Sequence, residues 1–168
     1  MGAGAARRRR GPRGTRARAR GAGLREDVRL PGFRQYGDLP LYYALAGAFI
    51  HASTIEPWGL VVNEAAASGL PLLVSDRCGC APELVGDGEN GFTFAPENVE
   101  DLARKMAQLA APDFPRKAFA AASRARVAAW GPERFGRGVA EGLPAVLAGK
   151  PAPVGALDRA LLHLLLRR

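Results

Sequence analysis

The sequence predicts an α/β fold, a parallel sheet with helices on both faces, and two observations carry that prediction. Short apolar runs at 49–52, 70–75 and 92–94 alternate with stretches of helical character and short polar connections, the pattern of strands joined by helical crossovers. The run at 70–75, Leu-Pro-Leu-Leu-Val-Ser, has no polar alternation, as in strands covered on both faces. Ligands of such sheets bind beyond the carboxyl ends of the strands, where loops lead into helices. That places loops 53–59 and 76–80 on one rim.

The elements follow in order. Residues 27–30 form a short strand candidate stopped by Pro31-Gly32. Asp38-Leu39-Pro40 reads as a helix start with Asp38 as N-cap, and Gly47 ends a short helix over 41–46. After the strand at 49–52 and its loop comes a helix at 60–68, closed by Gly69. The strand at 70–75 leads through a turn at 76–80 to a brief helix at 81–85, with Pro82 in its first turn. Glycines at 86, 88 and 91 punctuate the chain before the strand at 92–94. Residues 98–109 are amphipathic, with Leu102, Met106 and Leu109 on the inner face. Two more helices are expected at 112–130 and 132–147. A Pro/Gly-rich linker at 149–155 precedes a short Leu-rich helix at 157–168.

Charge divides the chain sharply. Residues 1–20 hold eight arginines and no acid, whereas the other 16 Lys and Arg balance 16 Asp and Glu. The net charge of +8 therefore belongs to the tail. A basic, Gly-rich, apolar-poor segment cannot bury enough surface to order itself. Residues 1–20 read as a disordered, solvated extension, with a nucleic-acid arm as the less favoured alternative. No apolar run spans a bilayer, and no apolar stretch follows the N-terminal charges as a secretory signal requires. The two cysteines, Cys78 and Cys80, flank Gly79. A lone C-x-C pair lacks the second ligand pair of a zinc site, so they read as small buried side chains in a cytoplasmic, reducing setting. No metal is expected.

The most informative stretch runs from Glu56 to Glu64, two carboxylates separated by seven residues with Gly59 between them. Glycine at a helix start allows close backbone approach, and the helix N-terminus offers unpaired N–H groups and partial positive charge suited to phosphate. Carboxylates flanking such a cradle suit hydroxyl donors. A ligand with hydroxyls on both sides of a phosphate, such as a nucleotide sugar, has that layout. Trp58 reads as a packing anchor, His51 as a satisfied structural histidine, and the pair Tyr42-Tyr43 as helix packing. Glu83 carries little functional weight.

Glu56-x7-Glu64, then Ala65-Ala66-Ala67-Ser68-Gly69-Leu70-Pro71 and a strand ending in Ser75, resembles the donor-site signature of GT-B retaining glycosyltransferases, family GT4. The flanks at 28–33, 39–44, 78–85 and 87–92 continue the likeness, which runs from about Gly21 to about Val146. The resemblance implies a Rossmann-like fold, the C-terminal half of a GT-B enzyme. It implies a nucleotide-sugar-binding domain over 21–148 and no cofactor beyond the donor itself, linked to UDP, GDP or ADP. Glu56 would accept hydrogen bonds from donor-sugar hydroxyls and Glu64 from the ribose. The backbone at Gly59, Leu60 and Val61 would lie along sugar and diphosphate, with Gly79 in a loop near the donor. Alone, Glu64 is an ordinary first-turn helix acid and Glu56 a solvated loop acid; the flanking pattern favours function.

In the family an Arg and a Lys near the start of this domain clamp the donor diphosphate. That region should precede Gly21, and residues 1–20 do not match it. The expectation is a fold incomplete at its N-terminal edge, a piece of a hexosyltransferase lacking its acceptor domain. Such a piece would not turn over without an N-terminal domain or a second chain. The alternatives are a non-catalytic sugar-nucleotide-binding or partner domain and, less favoured, a nucleic-acid-binding protein.

Overall fold

The computed structural model describes residues 12–149 and Gly155. Much of the expected tail, most of the linker and the helix at 157–168 therefore lie outside the described residues. The chain divides into two compact units, Met1–Leu45 and Ala46–Arg168.

The first unit corrects three expectations. Residues 12–20 are not an unstructured tail: Pro12–Gly21 is a helix, α1. Arginine and alanine are good helix formers, Pro12 suits the first turn, and Arg18 and Arg20 sit in the last turn, where cations complement the dipole. Its end is tied down by Leu24 N–H donating to the Ala19 carbonyl at 2.8 Å, and Arg16 Nη2 donates to the Leu30 carbonyl at 3.3 Å. Residues 27–30 are turn and irregular backbone rather than a strand. Asp38 is not an N-cap; it closes a 3-10 turn, Tyr36–Asp38, that runs straight into α2, Leu39–Leu45. Tyr42 is exposed, with the Arg34 guanidinium 5.9 Å from its ring centre.

The second unit contains the predicted parallel sheet. Strands β1 (Phe49–His51), β2 (Leu72–Ser75) and β3 (Gly91–Phe94) lie in the order β1-β2-β3, all parallel. The strand expected over 70–75 starts only at Leu72, because Pro71 has no N–H to donate; its carbonyl accepts from Phe49 N–H at 2.9 Å. Register places Ile50, Leu73 and Phe92 side by side, and Phe49, Leu72 and Gly91 likewise, so these two rows face opposite ways.

Among the described residues five helices accompany the sheet: α3 (Leu60–Ala67), α4 (Ala81–Leu84), α5 (Val99–Ala110), α6 (Arg116–Ala128) and α7 (Pro132–Ala148). Leu73, Phe94 and Leu109 form a buried cluster, with Phe92, Leu102 and Phe114 packed on it, so α5 covers the face that carries Leu73. Of its three expected inward residues, Leu109 is buried, Leu102 half-buried and Met106 exposed. Helix α3, which buries Val62, Ala65 and Ala66, packs against β1 and β2. Two successive crossovers of one hand place α3 and α4 on the side opposite α5.

The start of α5 shows how its sequence fixes it. Asn98 caps it by accepting from Asp101 N–H at 2.9 Å. The Asp101 carboxyl is held below the usual carboxylate range by hydrogen bonds from Lys105 and then Arg104, and Lys105 Nζ also donates to the Thr93 carbonyl at 2.6 Å. That ties α5 to β3.

Two buried polar side chains secure the amino ends of β2 and β3. Ser123 Oγ, on α6, donates to the Leu70 carbonyl at 2.8 Å just before β2. Asn90, fully buried, accepts from Gly86 N–H at 2.7 Å and donates to the Leu84 carbonyl at 2.9 Å. Asn90→Ala strands both backbone groups without water. It is expected to destabilise the protein by about 2–3 kcal/mol, read as a lowered urea midpoint at unchanged slope.

Candidate functional site

The two rim loops meet as a continuation of the sheet. Beyond β1 and β2, Glu56 and Cys78 form an isolated parallel bridge. Gly79 N–H donates to the Glu56 carbonyl at 2.9 Å, and Cys80 N–H to the Trp58 carbonyl at 3.2 Å. The thiols add to this. Cys78 Sγ donates to the Trp58 carbonyl at 2.9 Å, Cys80 Sγ lies 4.0 Å from the Gly59 carbonyl, and the two sulfurs are 3.4 Å apart. Both cysteines are buried and free, as the sequence led one to expect. Their role in holding loop 53–59 was not visible there, because the sulfur contacts cross about twenty residues of chain.

Two glycines permit this approach. Gly59 is left-handed, with φ 96°, and a Cβ there would stand 2.8 Å from Cys78 Sγ and 3.3 Å from Glu56 Cγ. A Cβ on Gly79 would come within 1.9 Å of the Pro57 carbonyl oxygen. Gly79 is thus required for the loops to touch, whatever it does toward a ligand.

Gly59 is also the N-cap of α3, without a side-chain cap. Val62 N–H donates back to the Gly59 carbonyl at 2.8 Å, and the fully buried Val62 side chain fixes the helix start. The amides of Leu60 and Val61 precede the point at which helical bonding supplies partners, and both side chains are exposed. Glu64 stands three and four residues further on, so it shares a helix face with them; it is half-buried. Glu56 is half-buried too, its Oε2 3.8 Å from His51 Nε2. The structure therefore groups Glu56, Gly59, Leu60, Val61, Glu64 and Gly79 along one rim, and places His51 beside them.

Trp58 is the packing anchor the sequence suggested. Its ring lies 5.3 Å from Trp130, its Nε1–H donates to Asn63 Oδ1 at 2.9 Å, and Arg134 covers Trp130 at 4.1 Å. Asn63 was not singled out from sequence, since its task is to orient that indole. His51 corrects its expectation: Nε2 is buried without a hydrogen-bond partner, so it is not a satisfied histidine. Glu83 is exposed in the first turn of α4. Among the described residues no cluster of three or more His, Cys, Asp or Glu could hold a metal ion, and no helix is long and apolar enough to cross a membrane. An open groove of about 260 Å³ lies on the α5 face, lined by Ile50, Met106, Leu109 and Arg116 among others; none of its residues belongs to the rim.

A parallel sheet with helices on both faces, and a glycine-led helix N-terminus between two acids at its carboxyl rim, is the arrangement of a Rossmann-like ligand-binding domain. Residues 11–126 match the family Glycosyl transferases group 1, and the chain belongs to that family. It is 40% identical over 81 residues to sulfoquinovosyl transferase SQD2 of Arabidopsis thaliana, covering 46% of this chain and 16% of that protein. Among solved structures it resembles Anabaena Alr3699/HepE in complex with UDP-glucose, with a TM-score of 0.68 at 27% identity, covering 79% of this chain and 36% of that one. It also resembles the C-terminal domain of a glycosyl transferase group 1 family protein, LpcC, from Francisella tularensis, with a TM-score of 0.63 at 26% identity over 69% and 60% of the two chains. The chain spans about a sixth of the length of sulfoquinovosyl transferase.

Burial, then the neighbouring Cys78, push the Cys80 thiol up to about 12, so it is a protonated, inert group near neutrality. Iodoacetamide at pH 8 is expected to leave Cys80 unmodified in the folded protein and to alkylate it in urea, as peptide mass spectrometry would show. Rapid native alkylation of Cys80 would mean that the loops are not held as described.

Proposed function

We propose that this domain binds the nucleotide-sugar donor of a retaining, GT4-type hexosyltransferase through the rim 53–64. One observation carries the reading. The bridge between Glu56 and Cys78 sets a left-handed Gly59 at the head of α3, between two half-buried carboxylates. The amides of Leu60 and Val61, with the positive end of the helix dipole, suit the donor diphosphate. Glu56 suits the hydroxyls of the sugar on one side, and Glu64 those of the ribose on the other, because a carboxylate accepts up to four hydrogen bonds. The likeness to a chain that holds UDP-glucose supports that class of donor.

In this reading the protein contributes position and charge compensation. Glu56 holds the sugar so that its anomeric carbon faces the acceptor. As the bond to the diphosphate breaks, negative charge grows on the leaving oxygen, where preorganised amides act on it without reorganisation. The hydroxyl of the acceptor then adds from the face the diphosphate leaves, which retains configuration and lets the departing phosphate take the acceptor proton. No protein carboxylate is used as a nucleophile, and no metal is required of these residues. The free Cys78 and Cys80 thiols suit a reducing, cytoplasmic setting.

Calorimetry of the full chain with UDP-, GDP- and ADP-glucose tests donor binding and ranks the bases. With the best of them, Glu64→Ala is expected to lose about 1.5–3 kcal/mol of binding, the value of hydrogen bonds to a charged acceptor. Glu97→Ala, at an exposed position, should lose almost nothing. Equal losses at the two positions would remove Glu64 from the site.

A further inference from the structure

His51 is the group at the rim that the donor reading leaves without a task. It ends β1, and its ring lies against Phe49 on the same face of the strand, 6.3 Å between centres and 11° from parallel. That stacking fixes the plane of the imidazole and hence the direction of both ring nitrogens. Nε2 is sealed from solvent and has no hydrogen-bond partner. Glu56 Oε2 lies 3.8 Å from it, with the side chains 18% and 31% exposed. A buried polar atom without a partner is costly, and 3.8 Å is too long for a hydrogen bond. A bare Nε2 lone pair facing a carboxylate would be repulsive, so the proton belongs on Nε2. A shift of about 1 Å in the Glu56 side chain, which sits on a loop, would close the gap to a charge-assisted hydrogen bond of about 2.8 Å.

We propose that His51 is a positioning residue for Glu56. Its Nε2–H takes up one Glu56 carboxylate oxygen when the donor sugar closes the site, turning the other oxygen toward the sugar hydroxyls. This rests on the donor reading of the rim. His51 then bears on the sugar and not on the nucleotide, because Glu56 lies on the sugar side and Glu64 on the ribose side. The unsatisfied nitrogen is the free-state form of an interaction that the ligand completes, as apo-state contacts at catalytic sites often tighten on binding.

The test measures UDP-glucose and UDP binding to the full chain by calorimetry in four forms: wild type, His51→Ala, His51→Gln and Glu56→Ala. His51→Ala is expected to weaken UDP-glucose about tenfold, within the range of a hydrogen bond to a charged group, while UDP changes less than about twofold. His51→Gln, which keeps an N–H donor of similar reach, should recover most of the loss. It also reports should His51→Ala fail to fold. Equal weakening of both ligands by His51→Ala, together with a lowered thermal midpoint, would reduce His51 to a packing residue and overturn the proposal. So would unchanged UDP-glucose binding. Failure of the donor reading is separately visible. If wild type binds neither ligand, or Glu56→Ala leaves UDP-glucose untouched, the sugar side is misassigned and the His51 proposal falls with it.

Discussion

Everything at the rim depends on the contact between the backbone of loop 53–59 and that of loop 76–80. A parallel sheet stops pairing where its strands diverge, yet here one further bridge joins Glu56 to Cys78. Gly79 and Cys80 then donate to the Glu56 and Trp58 carbonyls of the facing loop. This leaves Pro57, Trp58 and Gly59 no freedom to wander. The turn into α3 must be made at once, and only a residue without a Cβ can make it at φ 96° while a sulfur stands 2.8 Å from where that Cβ would be. That the Leu60 and Val61 amides come before helical bonding supplies partners follows from this geometry.

The two thiols act as spacers in this contact. Sulfur is large and polarisable and fills the space between two backbones while still donating weakly to a carbonyl. Burial keeps Cys80 protonated, so this thiol adds no charge to the loop junction near neutrality. Attraction for an anion at the head of α3 then comes from backbone dipoles, since Arg77, the cation on loop 76–80, is exposed and lies 3.7 Å from Asp76. Anion binding at such a place draws on fixed dipoles, whose orientation is settled when the fold forms.

The parts of the structure legible in the sequence are those encoded locally or by period. Unbroken apolar runs marked β1 and β2, glycines marked the ends of the helices, and the spacing of Glu56 and Glu64 around Gly59 marked the rim. What was illegible depended on distance or on competition between weak preferences. The arginine tail seemed too polar to order, yet residues 12–21 close their hydrogen bonds locally. Residues 27–30 had the composition of a strand but take no place in the ladder. The thiol contacts, the Trp58–Asn63 bond and the orphaned Nε2 of His51 are all tertiary facts about residues whose identities alone are ordinary.

The most direct test is to record amide spectra of the ¹⁵N-labelled full chain while UDP-glucose is added. A preorganised rim predicts saturable shifts concentrated at Gly59, Leu60, Val61 and Gly79, with the amides of α5 unmoved. Shifts gathered instead around the groove of Ile50, Met106 and Leu109, or spread evenly over the chain, would contradict it.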